Sequence, residues 1–410
     1  MITYYLLVSI LPLTLHPFWT MFVGEFTMIK YLGGAALIAA VFHLAGGRRI
    51  PGFLETPQSR AFLALLGVAS ISYLSHGLPF SWEHSPLISF ISFFVFYVVT
   101  IALVDSRNAL RWSLLVAVGS VAWATLYVVR EFQKFGGRPG WVVGDPNYYT
   151  MSAILVIPVA YFFFSSSGLP RWQRLFCLGS LVLILVGVAL AASRGGFIGL
   201  SVAIAYLTAR SGHRKRAVLL FVAIAGPILF LAPDSPLRRL FAPNVHDAQS
   251  VEIREILWAA GWLMIQQYPL TGIGLGNFKY VVPLFQPDAD RPYANIAHNT
   301  YIEMTAETGL PGLLAFVATL ALTLYSLETV RRGAGRAHDR FLVAVATGLQ
   351  AGLLGYAANA VFISAQYQKL MWLMVFLSMT LPGLLRASLA RTQAETWANA
   401  PGDRIRVATS

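Results

Sequence analysis

Apolar residues fall along the chain in blocks of about 18 to 24 positions, near the number that crosses a bilayer core as a helix at 1.5 Å rise per residue. The blocks lie at about 2–22, 27–45, 60–77, 86–104, 109–129, 148–166, 173–192, 196–209, 217–233, 310–327, 341–364 and 368–385. Short polar stretches join most of them. Two joins are longer: Arg130 to Asn147, and a stretch from about Asp234 to Gly309. At about 75 residues the second is too long for a simple linker, which points to a working loop. Within it Ile253, Ile256, Leu257, Ala260, Leu263 and Met264 recur at helical spacing between Glu252 and Gln267. Such a helix lies either on the membrane surface or against the bundle. The pattern predicts an all-α polytopic membrane protein of about twelve transmembrane helices with one large loop. It divides into helices one to nine over 1–233, the long loop over 234–309, helices ten to twelve over 310–385 and a solvated tail over 386–410.

Composition agrees. Hydrophobic residues make up 57% and charged residues 12% of the chain, too apolar a balance for a soluble domain. Cys177 is the single cysteine and lies in an apolar block, so no intrachain disulfide forms. The N-terminus has neither a basic region nor a small-residue cleavage site, so the first block reads as a retained helix. The net charge of +12 comes from residues scattered at helix ends, with no aromatic-interleaved basic surface, so nucleic acid is not an expected partner. Lys and Arg concentrate on one set of loops, among them Arg48, Arg107, Arg174, Arg214, Arg331 and Arg386. That bias predicts cytoplasmic termini and an external long loop.

Three positions stand out chemically. The apolar run from Leu175 to Ala209 would make a helix of roughly 50 Å, far more than a bilayer core needs. A break is expected at Ser193-Arg194-Gly195-Gly196, leaving Arg194 at the outer membrane boundary. There it either meets an anion or snorkels to headgroups. Arg254 opens the amphipathic segment, where the helix dipole does not favour a cation; an ordinary surface ion pair with Glu252 or Glu255 is the alternative. His298 begins a short polar helix leading into the tenth block, where a histidine beside water can act as a general base or be merely structural. His246, beside Asp247, competes for that role. Glu303 and Glu307 share one helical face. The alternating glycines of Gly272-Ile273-Gly274-Leu275-Gly276 could form an anion-binding nest. No zinc spacing, nucleophile elbow, phosphate loop or Asp-x-Asp pair occurs, so neither metal nor cofactor is expected.

Four motifs in order, Gly144-Asp145-Pro146-Asn147-Tyr148-Tyr149, Ser193-Arg194-Gly195-Gly196, Arg254 followed by Pro269 to Phe278, and His298-Asn299 through Gly309-Leu310-Pro311-Gly312, resemble the O-antigen ligase and polymerase superfamily. The resemblance covers about 140–325 and is closest to lipopolysaccharide O-antigen ligases. It implies a helical bundle with a large periplasmic loop, akin to C-type glycosyltransferases, in a bacterial inner membrane. The implied reaction is inverting transfer of a glycan from undecaprenyl diphosphate, without metal or nucleotide sugar, to a lipid A-core acceptor at the periplasmic face. By the same resemblance, Arg194 and Arg254 hold the donor diphosphate and His298 takes the acceptor proton. Asp145, Asn147, Asn299 and Glu307 are supporting candidates, with turn or cap roles equally open for Asp145 and Asn147. Alternatives are a polysaccharide polymerase, a protein O-glycan ligase and, from another class, a lipid-linked sugar transporter.

Overall fold

The computed structural model describes residues 1–13, 21–23, 26–46, 53–76, 85–135, 145–166, 168–210, 222, 245–286 and 292–398. Across them the apolar blocks become helices: α1 (Ile2–Ile10), α2 (Met28–Ala45), α3 (Pro57–His76), α4 (Pro86–Leu103), α5 (Arg107–Phe135), α6 (Pro146–Ser165), α7 (Arg171–Ala191) and α8 (Arg194–Arg210). Then follow α9 (Val245–Gln267), the short α10 (Phe278–Val281), α11 (Thr300–Arg336), α12 (Arg340–Asn359) and α13 (Lys369–Ala398). A two-residue antiparallel pair, Phe22–Val23 with Phe26–Thr27, is the only sheet among the described residues. Helices dominate because a bilayer offers no partner for exposed backbone groups.

Helix starts follow local chemistry. Prolines open α3, α4 and α6, where the missing N–H is one the helix would not have used. Asp145, Asn299 and Asp339 cap α6, α11 and α12 through side-chain oxygens.

Among the described residues, eight helices are long and apolar enough to cross a membrane: α2, α4, α5, α6, α7, α11, α12 and α13. The fold is thus an all-α polytopic membrane bundle. The expected first block does not continue as one helix to residue 22. It stops at Ile10, passes into a 3₁₀ turn at Leu11–Leu13 around Pro12, and residues 22–23 are strand. α3 is not among those eight and buries Gln58, Ser59 and Ser72 inside the bundle. α8 has 17 residues. Of the expected block at 217–233 only Val222 is among the described residues, and the rest of it lies outside them. At the other extreme, α11 runs on to Arg336 and α13 to Ala398, so the stretch expected as a solvated tail after Arg386 begins as helix.

α12 is the hub, packed against α6, α8 and α11; α11 packs in turn on α3 and α13, and α9 lies on α11. Small residues let backbones meet. A Cβ on Gly199 of α8 would stand 2.6 Å from the carbonyl oxygen of Gly355 in α12, so this crossing excludes any side chain. Around Trp372, which is fully buried, the rings of Phe62, Phe93, Phe316 and Phe376 lie 5.1, 5.6, 6.3 and 5.9 Å away.

Charges gather at one end of the bundle. Arg107 pairs with Asp339 and Ser388, Arg386 with Glu55 at 3.2 Å, and Glu328 with Arg331 and Arg332 at 2.8 and 2.6 Å. The opposite end holds the N-termini of α4, α6 and α11, the α7–α8 junction and the C-terminus of α12. There the long loop returns and the candidate site forms.

Candidate functional site

The long apolar run from Leu175 breaks where expected. α7 ends at Ala191, Ala192 takes left-handed backbone (φ 48°), and α8 starts at Arg194. The break is stitched to the start of α6. Asp145 accepts the backbone N–H of Asn147 at 2.5 Å, Asn147 Oδ1 accepts the Ser193 hydroxyl at 2.7 Å, and Ser193 Oγ accepts the N–H of Gly196 at 3.0 Å. Capping by Asp145 is thus demonstrated, and the same relay fixes where Arg194 emerges.

Arg254 arrives from the loop. α9 begins at Val245, several residues before the expected start, so Arg254 sits in its third turn and not at its N-terminus. The dipole argument made from sequence therefore does not apply to it, since that field fades within the first turn. α9 lies against the bundle through a small core of Leu257, Ala260, Met264, Ile265, Ile273, Phe278, Val282, Ala297 and Ala306. The expected apolar face is largely right, although Leu263 is exposed and Ile265 is buried in its place.

Arg194 and Arg254, 60 positions apart in sequence, line one cleft together with Asn147, Ser193, Gly195, Ser250, Asn359 and Phe362. The space in it open to a water-sized group is about 30 Å³, room for an oxygen atom or two of a ligand seated at the mouth. Four segments separated in sequence, the start of α6, the α7–α8 junction, α9 and the end of α12, thus converge on one polar point.

His298 stands beside this cleft, within electrostatic reach of Arg254 and Asp145. Its imidazole is held below the ordinary histidine range, chiefly by burial, then by the Arg254 charge, with Asp145 opposing both. The backbone of His298 is left-handed (φ 50°), a conformation histidine adopts more readily than most residues. What holds it is a clamp on the preceding peptide. The N–H of Ala297 donates to Glu303 at 2.7 Å, and its carbonyl accepts the Trp258 indole N–H at 2.9 Å. Glu303 is itself held by the Ser364 hydroxyl and, at 2.7 Å, by Gln366. Next along the chain, Thr300 donates its N–H to Ala360 (2.9 Å) and its hydroxyl to Ile363 (2.6 Å). The turn after α12 thereby locks the histidine loop in place.

The remaining candidates lie elsewhere. Asn299 caps α11, its Oδ1 accepting from Tyr301 and Ile302 at 3.0 and 3.1 Å. Glu307 faces the glycine turn and accepts the N–H of Phe278 at 3.2 Å, so the partner this turn receives is the protein's own side chain. The neighbouring N–H groups of Ile273 and Gly274 go to the carbonyls of Ala306 and Glu307. Gly309 (φ 70°) kinks α11 where a Cβ would strike the Leu270 carbonyl. The glycine motif therefore docks the loop onto α11 and is not an open nest. The side chains of His246 and Asp247 lie outside the described residues.

Sequence reasoning overlooked Asn359, Ser250 and Phe362 at the cleft and Trp258, Ser364 and Gln366 behind His298. Asn359 had a signal, as one of two amides, with Gln350, in an apolar block; the others become visible only once α9 and the turn after α12 are in place. No curated protein matches the chain. Residues 179–317, a stretch that contains Arg194, Arg254 and His298, match the family described as O-antigen ligase.

Proposed function

We propose that this protein is a lipopolysaccharide O-antigen ligase, transferring a polysaccharide from undecaprenyl diphosphate to the lipid A-core acceptor at the periplasmic face of a bacterial inner membrane, with both termini cytoplasmic. The observation that carries this reading is the meeting of Arg194 and Arg254 on one cleft beside His298.

Two guanidiniums from separate elements suit a diphosphate. Each offers a planar fork of donors to phosphoryl oxygens, and their charge offsets the negative charge that builds on the leaving group. His298, its proton affinity lowered by burial and by Arg254, is neutral at neutral pH and has a lone pair for the acceptor hydroxyl. As that oxygen bonds to the anomeric carbon, the hydroxyl proton passes to the imidazole. The bond from that carbon to the diphosphate oxygen breaks, and its electron pair leaves with undecaprenyl diphosphate. Attack opposite the leaving group inverts the anomeric centre, and the arginines provide the charge that a divalent cation would otherwise bring.

Purified protein mixed with undecaprenyl-diphosphate glycan and lipid A-core, in EDTA and without nucleotide, is expected to yield glycosylated lipid A-core. Lengthened lipid-linked glycan with untouched lipid A-core would overturn the ligase reading in favour of a polymerase. His298→Ala is expected to abolish transfer while leaving donor binding intact; full turnover in the inserted variant would remove the base role.

A further inference from the structure

Asn359, the last residue of α12, is 1% exposed, and among the described residues neither its Nδ2 nor its Oδ1 has a hydrogen-bond partner. Buried polar side chains are almost always paired, because an unpaired one forfeits the bonds it made to water. Capping does not account for it. The helix ends through Ala360 in right-handed backbone, and the bond from Phe362 N–H uses the Asn359 main-chain carbonyl, leaving the amide unused. Instead the side chain lines the cleft with Arg194 and Arg254. A Cβ on Gly195 would lie 3.0 Å from Asn359 Oδ1, so the amide sits directly against the residue that follows Arg194. The glycine keeps that approach open.

We infer that Asn359 is a further donor-binding residue, its carboxamide donating to a phosphoryl oxygen of the lipid diphosphate and accepting a guanidinium N–H from Arg194. The inference rests on the diphosphate-clamp reading. Its chemistry follows from the inventory of the cleft. Two arginines bring donors only, and a phosphoryl group brings acceptors only. An amide can satisfy both at once, so it fixes the angle at which guanidinium and phosphate meet. The small volume suits this, since it admits phosphoryl oxygens while the glycan stays at the mouth. Among the described residues neither atom of the amide is paired. An anion seated in the cleft would pair both, so the amide contributes to its affinity.

Binding of undecaprenyl diphosphate to the detergent-solubilised full chain tests this. Asn359→Leu keeps the branched outline and removes both polar atoms, so the loss of an unpaired buried amide offsets the added bulk and the variant is expected to melt no lower than the native protein. Its affinity for undecaprenyl diphosphate is expected to fall about 10- to 100-fold, the range for a hydrogen bond to a charged group. Asn359→Asp, of the same shape, is expected to bind more weakly still because its carboxylate repels the phosphate. Native affinity in the leucine variant, with binding lost in Arg254→Ala, would overturn the role of Asn359 and leave the arginine clamp standing. Failure of the native protein itself to bind undecaprenyl diphosphate would overturn both. Should the leucine variant not fold, native-like affinity in the aspartate variant is the result that overturns the inference.

Discussion

The titration of His298 is set by two neighbours of opposite charge and by its own burial, which makes the pH profile of transfer a direct reading of the site. Burial and Arg254 both disfavour the imidazolium, and Asp145 favours it. A base must be unprotonated, so the rate of transfer is expected to rise with pH along a limb whose midpoint lies below 6.5, the ordinary histidine value. Replacing Arg254 by methionine removes a positive charge that lowers the midpoint and should move the limb to higher pH. Asp145→Asn removes the negative charge that raises it and should move the limb to lower pH. Opposite displacements in single-turnover profiles with saturating donor would establish the pairing; a common displacement would refute it. The positioning of His298 has its own test. Trp258→Phe deletes the bond to the Ala297 carbonyl while keeping a ring in place. The rate of the chemical step is expected to fall about tenfold from misplacement of the base, with donor affinity unchanged. A loss confined to donor affinity would show that Trp258 does not act through His298.

At the scale of elements, the site is made by helix ends and therefore depends on how closely helices approach. Arg194 opens α8 and Asn359 closes α12, and these helices cross at Gly199 and Gly355 with backbone against backbone. Gly199→Ala puts a methyl 2.6 Å from a carbonyl oxygen. The nearest atom is backbone and cannot swing aside as a side-chain tip can, so the helices must part. The variant should lose about 1 to 3 kcal/mol of stability, as overpacked cores do, and should bind donor more weakly because the Arg194 side of the cleft moves from Asn359. A lowered melting midpoint in detergent with native donor affinity would separate packing from site geometry and contradict the second half. This crossing also marks how far the sequence could be read. Hydropathy located most helices to within a few residues, since apolar length is what a bilayer selects. It also located the break beside Arg194, since one uninterrupted helix there would overrun the membrane. It misjudged the ends of α11 and α13, which continue as helix after the apolar signal stops, through Arg331 and Arg332 and through Ala387 and Ala390. It merged the turn after Asn359 into an apolar block, although Ser364, Gln366 and the Ala360 carbonyl in that turn hold the histidine loop. Residues that act through partners more than 60 positions away leave no local pattern to read.

The whole molecule is polarised. Arg194, Arg254 and His298 gather at one end of the bundle, whereas Arg107, Asp339, Arg386, Glu55 and Glu328 interlock at the other. Those paired cations belong to the loops whose Lys and Arg bias predicts a cytoplasmic location, so the orientation inferred from sequence and the polarity of the fold make one joint claim that can be tested. Cys177 is the only cysteine and is fully buried, which gives a quiet background for labelling. A cysteine at Asn295, exposed beside the histidine loop, is expected to react with a membrane-impermeant maleimide in spheroplasts. A cysteine at Arg336, at the far end of α11, should react only after lysis. Beyond the kink at Gly309, α11 runs from Leu310 to Arg336, about 40 Å at 1.5 Å per residue, so the two ends of that stretch cannot both lie in the bilayer core. Labelling of Arg336→Cys in spheroplasts with protection of Asn295→Cys would invert the molecule. A diphosphate clamp would then face the cytoplasm, where lipid A-core is not presented from the periplasmic side, and the ligase reading would fall with it.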